Sequence, residues 1–86
     1  EKEEAIKAYI NILKDTVVYN FVDRNFTLNS IDIIHESSPE IATPELIDAV
    51  QKLVQWRNAK PDPGTNAGYE MRTAPYLLQK WGISLN

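Results

Sequence analysis

Apolar residues recur at steps of three and four along most of this chain, which is the spacing of one face of an α-helix. The clearest row follows Thr43 and Pro44; its apolar members are Leu46, Val50 and Leu53, and Arg57 keeps the same spacing. A threonine hydroxyl caps a helix well, and proline suits the first helical position because its missing N–H would have no partner there. We therefore predict a helix over 44–59.

A second row of the same kind occupies the first part of the chain, and its members are Ile6, Ile10, Leu13, Val17 and Phe21. This spacing predicts one helix over 3–24. The segment 16–22 is also rich in β-branched and aromatic residues, which is typical of a strand, so a strand is the alternative there. We expect Asn25 or Thr27 to break the helix.

After that break we expect a short helix over 30–37, capped by Asn29 or Ser30, with Ile31 and Ile34 facing inward. Ser38 precedes Pro39 as Thr43 precedes Pro44, so a second capping hydroxyl is expected there.

The segment 60–68 contains two prolines and two glycines and is predicted to be a loop. Beyond it, a helical stretch should end at Gly82 in the left-handed cap position, with Ile83 placed to touch Leu78. Because Pro75 fits either arrangement, residues 66–81 can form one kinked helix or two shorter pieces.

Together these elements predict an all-α fold, a small bundle of three to four amphipathic helices in a single domain over 1–86. The length of 86 residues supports one core, and the composition of 43% hydrophobic and 24% charged residues is that of a globular protein. There is no cysteine, so stability must come from packing. The first residue is Glu1, which we interpret as the start of a processed or excised fragment.

Charge is distributed unevenly along the chain. Residues 1–50 carry ten acidic against four basic side chains, whereas residues 51–86 carry two against five. Five acidic residues lie between Arg24 and Lys52 with no basic residue among them: Asp32, Glu36, Glu40, Glu45 and Asp48. An acidic surface steers encounter with a basic partner and restricts partner choice. We therefore expect a non-catalytic helical protein-interaction domain or assembly subunit, with these five residues as its contact face for a protein partner or a second copy.

The alternative is a nucleic-acid-binding or nucleoprotein subunit that uses the basic and aromatic C-terminal half. Its candidate residues are Trp56, Arg57, Lys60, Arg72, Lys80 and Trp81. Aromatic side chains can stack on bases while the cations neutralise phosphates. In addition, the segment 77–84 resembles the first helix and glycine-containing turn of a helix-turn-helix.

Enzymatic motifs are missing from the sequence. His35 is the sole histidine, and Asp32 and Glu36 near it supply too few ligands for a metal site. No nucleophile or metalloprotease motif occurs, so we expect neither catalysis nor a cofactor. Apolar runs are too short to span a membrane. No signal-peptide pattern is visible, which favours a soluble, cytoplasmic protein over a secreted one.

Overall fold

The computed structural model describes residues 2–59 and 68–84, and within those ranges the chain is all-α, which confirms the predicted fold class. The described residues form four α-helices: α1 (Lys2–Lys14), α2 (Phe21–Ser37), α3 (Pro44–Asn58) and α4 (Gly68–Lys80). A single 3₁₀ turn, Pro39–Ile41, connects α2 to α3. No helix in the described part of the chain is long and apolar enough to cross a membrane.

The four helices pack in a closed ring in the order α1, α3, α4 and α2, so each helix has its main contacts with two neighbours. Their inward faces form one core, whose fully enclosed members include Leu13, Leu28, Ile31, Leu46 and Leu77. Trp56 and Trp81 are half-buried at the border of this core. The bundle therefore encloses a single hydrophobic interior.

Helix α3 follows the sequence prediction closely. It begins after Thr43, whose hydroxyl oxygen accepts a hydrogen bond from the backbone N–H of Leu46 at 3.3 Å. The predicted apolar row faces inward, since Leu46, Val50 and Leu53 are buried. The Thr43 cap, Pro44 and the start of the apolar row coincide, which is why this helix could be predicted from the sequence.

The N-terminal half differs from the prediction. The helix predicted over 3–24 ends at Lys14, and the expected break at Asn25 or Thr27 lies inside α2. Asn29 and Ser30 are therefore interior residues of α2 rather than caps. The alternative strand over 16–22 is also wrong, because this segment is a turn followed by the first residues of α2.

Local hydrogen bonds explain the change of boundary. The Asp15 carboxylate accepts from the backbone N–H groups of Val17 and Val18 at 3.3 and 3.1 Å, which stabilises a turn in competition with the helix. Asn20 then caps α2, accepting from the Val22 and Asp23 N–H groups, while the Asp23 carboxylate accepts from the Asn20 N–H. This reciprocal capping box restarts the helix at residue 21.

The turn between α2 and α3 follows the prediction in part. Pro39 does occupy the first position of the 3₁₀ turn, but the Ser38 hydroxyl makes no capping hydrogen bond. Ile31 is buried as expected, and Ile34 is half-buried against the core.

Helix α4 settles the arrangement left open for residues 66–81, because one helix runs from Gly68 to Lys80 with Pro75 inside it. It ends as predicted: Gly82 has φ +72°, its N–H donates to the Gln79 carbonyl at 3.0 Å, and the Ile83 N–H donates to the Leu78 carbonyl at 2.8 Å. These two bonds define a Schellman ending. Most of the loop predicted over 60–68 lies outside the described residues.

Candidate interaction surface

The most unusual surface of the bundle is the outward face of α2. Val22, Phe26 and Ile33 are 55%, 73% and 72% exposed, although all three are large and apolar. Their spacing of four and seven residues places them in one row along the helix. We call this row, which is roughly 16 Å long at 1.5 Å per residue, the α2 stripe. Val17 and Val18, in the preceding turn, are also exposed.

The opposite face of α2 makes the contacts that hold the helix in the bundle. Its buried residues are Arg24, Thr27, Leu28 and Ile31. Helix α2 is therefore apolar on two sides, one against the core and one against solvent. A surface helix normally presents polar residues to water, so the second apolar side is the feature that calls for explanation.

A shallow hollow of about 250 Å³ lies beside the stripe, where α2 meets α1 and the intervening turn. Its lining is mostly apolar and consists of Ile12, Tyr19, Val22, Asp23, Phe26 and Thr27. The hollow has room for one apolar side chain of a partner, such as Leu or Phe.

Two of the predicted acidic residues lie on α2, close to the C-terminal end of the stripe. Lys80 of α4 bridges them, with its Nζ 2.9 Å from Asp32 Oδ1 and 3.0 Å from Glu36 Oε1. The hydrogen bond to Asp32, and then that to Glu36, raises the pKa of Lys80 above its ordinary value because both stabilise the ammonium. The structure therefore joins a predicted acidic residue pair to a residue of the alternative basic set.

Asp48 belongs to a different cluster, between α3 and α1. Its Oδ2 lies 3.2 Å from Lys52 Nζ and 3.5 Å from Lys14 Nζ. The hydrogen bond from Lys52 is the main cause of the lowered pKa of Asp48. Glu40 is exposed on the 3₁₀ turn and Glu45 is exposed in the first turn of α3. The five acidic residues are thus spread over α2, the 3₁₀ turn and α3, and three of them are engaged by lysines.

The alternative nucleic-acid set separates into two groups. Trp56 and Arg57 are adjacent on α3, where the Arg57 guanidinium carbon lies 4.7 Å from the Trp56 ring centroid and Arg57 is only 8% exposed. Trp81 lies at the end of α4, close to Lys80, and Arg72 is exposed near the start of that helix. Lys60 falls outside the described residues.

His35 lies against the end of α4. Its ring centroid is 5.9 Å from that of Trp81, with the planes tilted by 51°. Asp32, the neighbour considered in the sequence, is engaged by Lys80. Within residues 2–59 and 68–84, no group of three or more His, Cys, Asp or Glu side chains could hold a metal ion.

Sequence reasoning missed the α2 stripe because it placed a helix break at 25–29. The signal was present: Val22, Phe26 and Ile33 follow helical spacing, and Leu28 and Ile31 form a second row on the opposite side of the helix. A helix with an apolar row on each side differs from the usual surface helix, which has one.

Neither a protein-family model, nor a curated protein, nor a solved structure matches this chain.

Proposed function

We propose that this chain is a non-catalytic helical protein-interaction domain that binds its partner through the outward face of α2. The observation that carries the proposal is the exposure of Val22, Phe26 and Ile33 in one row of a helix whose other side is already packed. Exposed apolar patches on soluble domains commonly mark interaction sites, and this one is interrupted between Phe26 and Ile33 by the exposed Asn29.

The energetics favour such a role. Burying a large apolar side chain gives about 1.5–3 kcal/mol, so the stripe can contribute several kcal/mol to association. Loss of translational and rotational freedom costs about 4–15 kcal/mol, so the stripe needs additional contacts around it. A stable interface also covers about 800 Å² on each partner, which is more than three side chains provide.

The acidic residues predicted from the sequence enter this proposal as the polar border of the contact. Asp32 and Glu36 flank the C-terminal part of the stripe on the same helix. An apolar centre with a charged rim is the usual anatomy of a protein interface. Glu40, Glu45 and Asp48 lie on other elements, and the Asp48 carboxylate is paired with Lys14 and Lys52.

A photocrosslinking experiment tests the proposal. The photoreactive amino acid p-benzoylphenylalanine replaces Phe26 in one protein and Gln55 in a second, since Gln55 is an exposed position on α3. Each protein is irradiated in an extract of the cells that make it, and covalent adducts are identified by mass spectrometry. We expect a defined adduct at position 26 that is absent at position 55.

Equal labelling at both positions, or no adduct at position 26, would contradict the proposal. Circular dichroism of both proteins before irradiation establishes that the helical fold is retained. The replacement at position 26 preserves an aromatic side chain at an exposed site, so folding should be unaffected.

A further inference from the structure

The charged groups around the α2 stripe are strongly biased toward one sign. At the N-terminal end lies Asp23, which belongs to the capping box of α2. At the other end lie Asp32 and Glu36. Three carboxylates of α2 therefore border the apolar row.

Cations near the stripe compensate little of this negative charge. Lys80 lies between Asp32 and Glu36 and compensates one of the two charges at that end. Arg24, the one Lys or Arg residue within α2, is 3% exposed and donates to the Tyr19 carbonyl at 2.7 Å, on the buried side of the helix. The surface presented to a partner is consequently apolar along its centre and negative at both ends.

This pattern disfavours a second copy of the same chain as the occupant. A second copy would bring the same acidic groups, Asp23, Asp32 and Glu36, to the border of the contact, and like-charge contacts across an interface are unfavourable.

An added strand is also disfavoured, because strand addition needs an exposed sheet edge and the described residues contain no strand. A helix that lies along another helix is recognised by apolar side chains that share one face, as Val22, Phe26 and Ile33 do at spacings of four and seven residues.

We propose that the occupant of the α2 stripe is an amphipathic helix of another protein, with an apolar row down its centre and Lys or Arg residues along its borders. This inference rests on the proposed function and adds the chemistry of the partner to it. One apolar side chain of that helix fills the hollow beside Phe26, while its basic residues face Asp23 at one end and Asp32 and Glu36 at the other.

Two fluorescent peptides of roughly 18 residues, about five helical turns, test the inference. Both carry leucine at every third or fourth position in a background of alanine and glutamine. One carries lysine on both sides of the leucine row, and the other carries glutamate at the same positions. Binding to the whole chain is followed by fluorescence anisotropy at low and high salt.

We expect the lysine peptide to bind at least about tenfold more tightly than the glutamate peptide, with an affinity that falls as salt is raised. Phe26→Asp should weaken binding of the lysine peptide by about tenfold or more, whereas Gln55→Asp, which adds the same charge on α3, should not. The double variant D32N/E36Q should weaken it while leaving the apolar row intact. Circular dichroism establishes that each variant is folded.

Other outcomes separate this inference from the proposed function. If both peptides bind equally and Phe26→Asp abolishes binding, the stripe is a docking site but the basic partner is wrong. If neither peptide binds and light scattering shows a dimer that Phe26→Asp dissociates, the occupant is a second copy and this inference is overturned. If neither peptide binds and the chain is a monomer, the inference is likewise overturned, and the proposed function is judged by the crosslinking result.

Discussion

The guanidinium carbon of Arg24 lies 5.2 Å from the centroid of the Trp56 ring, which joins the buried side of α2 to α3. Arg24 also donates from Nη1 to the Tyr19 carbonyl oxygen at 2.7 Å, so the same side chain holds the turn that separates α1 from α2. A charged group is costly to bury unless it is hydrogen-bonded and paired, and these contacts offset that cost. Arg24 therefore connects three elements of the bundle at one point.

Replacing Arg24 by alanine should destabilise the fold by about 2–4 kcal/mol, because it removes a charge-assisted hydrogen bond and a cation–π contact. Arg24→Lys should recover part of the loss, since it keeps the charge but not the planar guanidinium. Chemical denaturation measures both values. Lys7→Ala, at an exposed position of α1, is the control. An Arg24→Ala variant as stable as that control would contradict this role.

The capping box at the start of α2 gives a second prediction. Asn20→Ala should cost about 1 kcal/mol of unfolding free energy, because the N–H groups of Val22 and Asp23 lose their acceptor. Asn29 has the same side chain but lies exposed inside α2, so Asn29→Ala should leave stability unchanged or raise it slightly. Urea denaturation of the two variants checks the contrast, and an equal loss at both positions would count against the cap.

The hydrogen bonds at helix ends show why one helix boundary could be predicted from the sequence and another could not. Helix α3 was predictable because its cap, its proline and its apolar row coincide at Thr43 and Pro44. The end of α1 was not, because Val17 continues the apolar spacing yet is 93% exposed in the structure. The side chains of Asp15 and Asn20 accept short-range hydrogen bonds from backbone N–H groups, and these bonds outweighed a periodic pattern that fitted both arrangements.

The candidate site was harder to predict for a different reason. Lys80 is 48 residues from Asp32 and 44 from Glu36, and only the packing of α4 against α2 brings them together. From the sequence, Asp32 and Glu36 were assigned to the acidic protein-binding face and Lys80 to the nucleic-acid-binding alternative. Residue types are read directly from the sequence, whereas spatial neighbours depend on tertiary structure.

The glycine at the end of α4 gives a third prediction. A Cβ added at Gly82 would meet nothing within 4 Å, so a substitution there is resisted by backbone conformation alone. At φ +72° an alanine should cost about 1–2 kcal/mol, whereas asparagine, which tolerates this region better, should cost less. Thermal unfolding of Gly82→Ala and Gly82→Asn measures the difference. Equal losses for the two variants would mean that the left-handed conformation is not what selects glycine.

The nucleic-acid alternative has its own test. Because Arg57 is largely buried and Lys80 bridges two carboxylates, we expect no rise in the anisotropy of labelled single-stranded or duplex oligonucleotides at low salt. A rise that weakens with salt and with Arg57→Ala or Lys80→Ala would revive that alternative. Arg57→Ala needs a folding measurement beside it, since the residue also packs against Trp56.

The bridge made by Lys80 predicts a stability that depends on pH. Its pKa is raised in the folded chain by the hydrogen bonds to Asp32 and Glu36, so the folded state holds the proton more tightly than the unfolded state does. The stabilisation is therefore present below the ordinary lysine pKa of about 10.4 and is lost as the pH rises through the higher folded value. Lys80→Met should lower Tm at pH 7. The difference in Tm from the unsubstituted protein should stay constant to about pH 10 and become smaller above it.

Added salt should also reduce this difference in Tm, because the groups lie at the surface. Differential scanning calorimetry at several pH values measures these shifts, with Lys7→Met as the control. Equal Tm values for Lys80→Met and the unsubstituted protein at pH 7 would show that the bridge contributes nothing to the docking of α4 on α2.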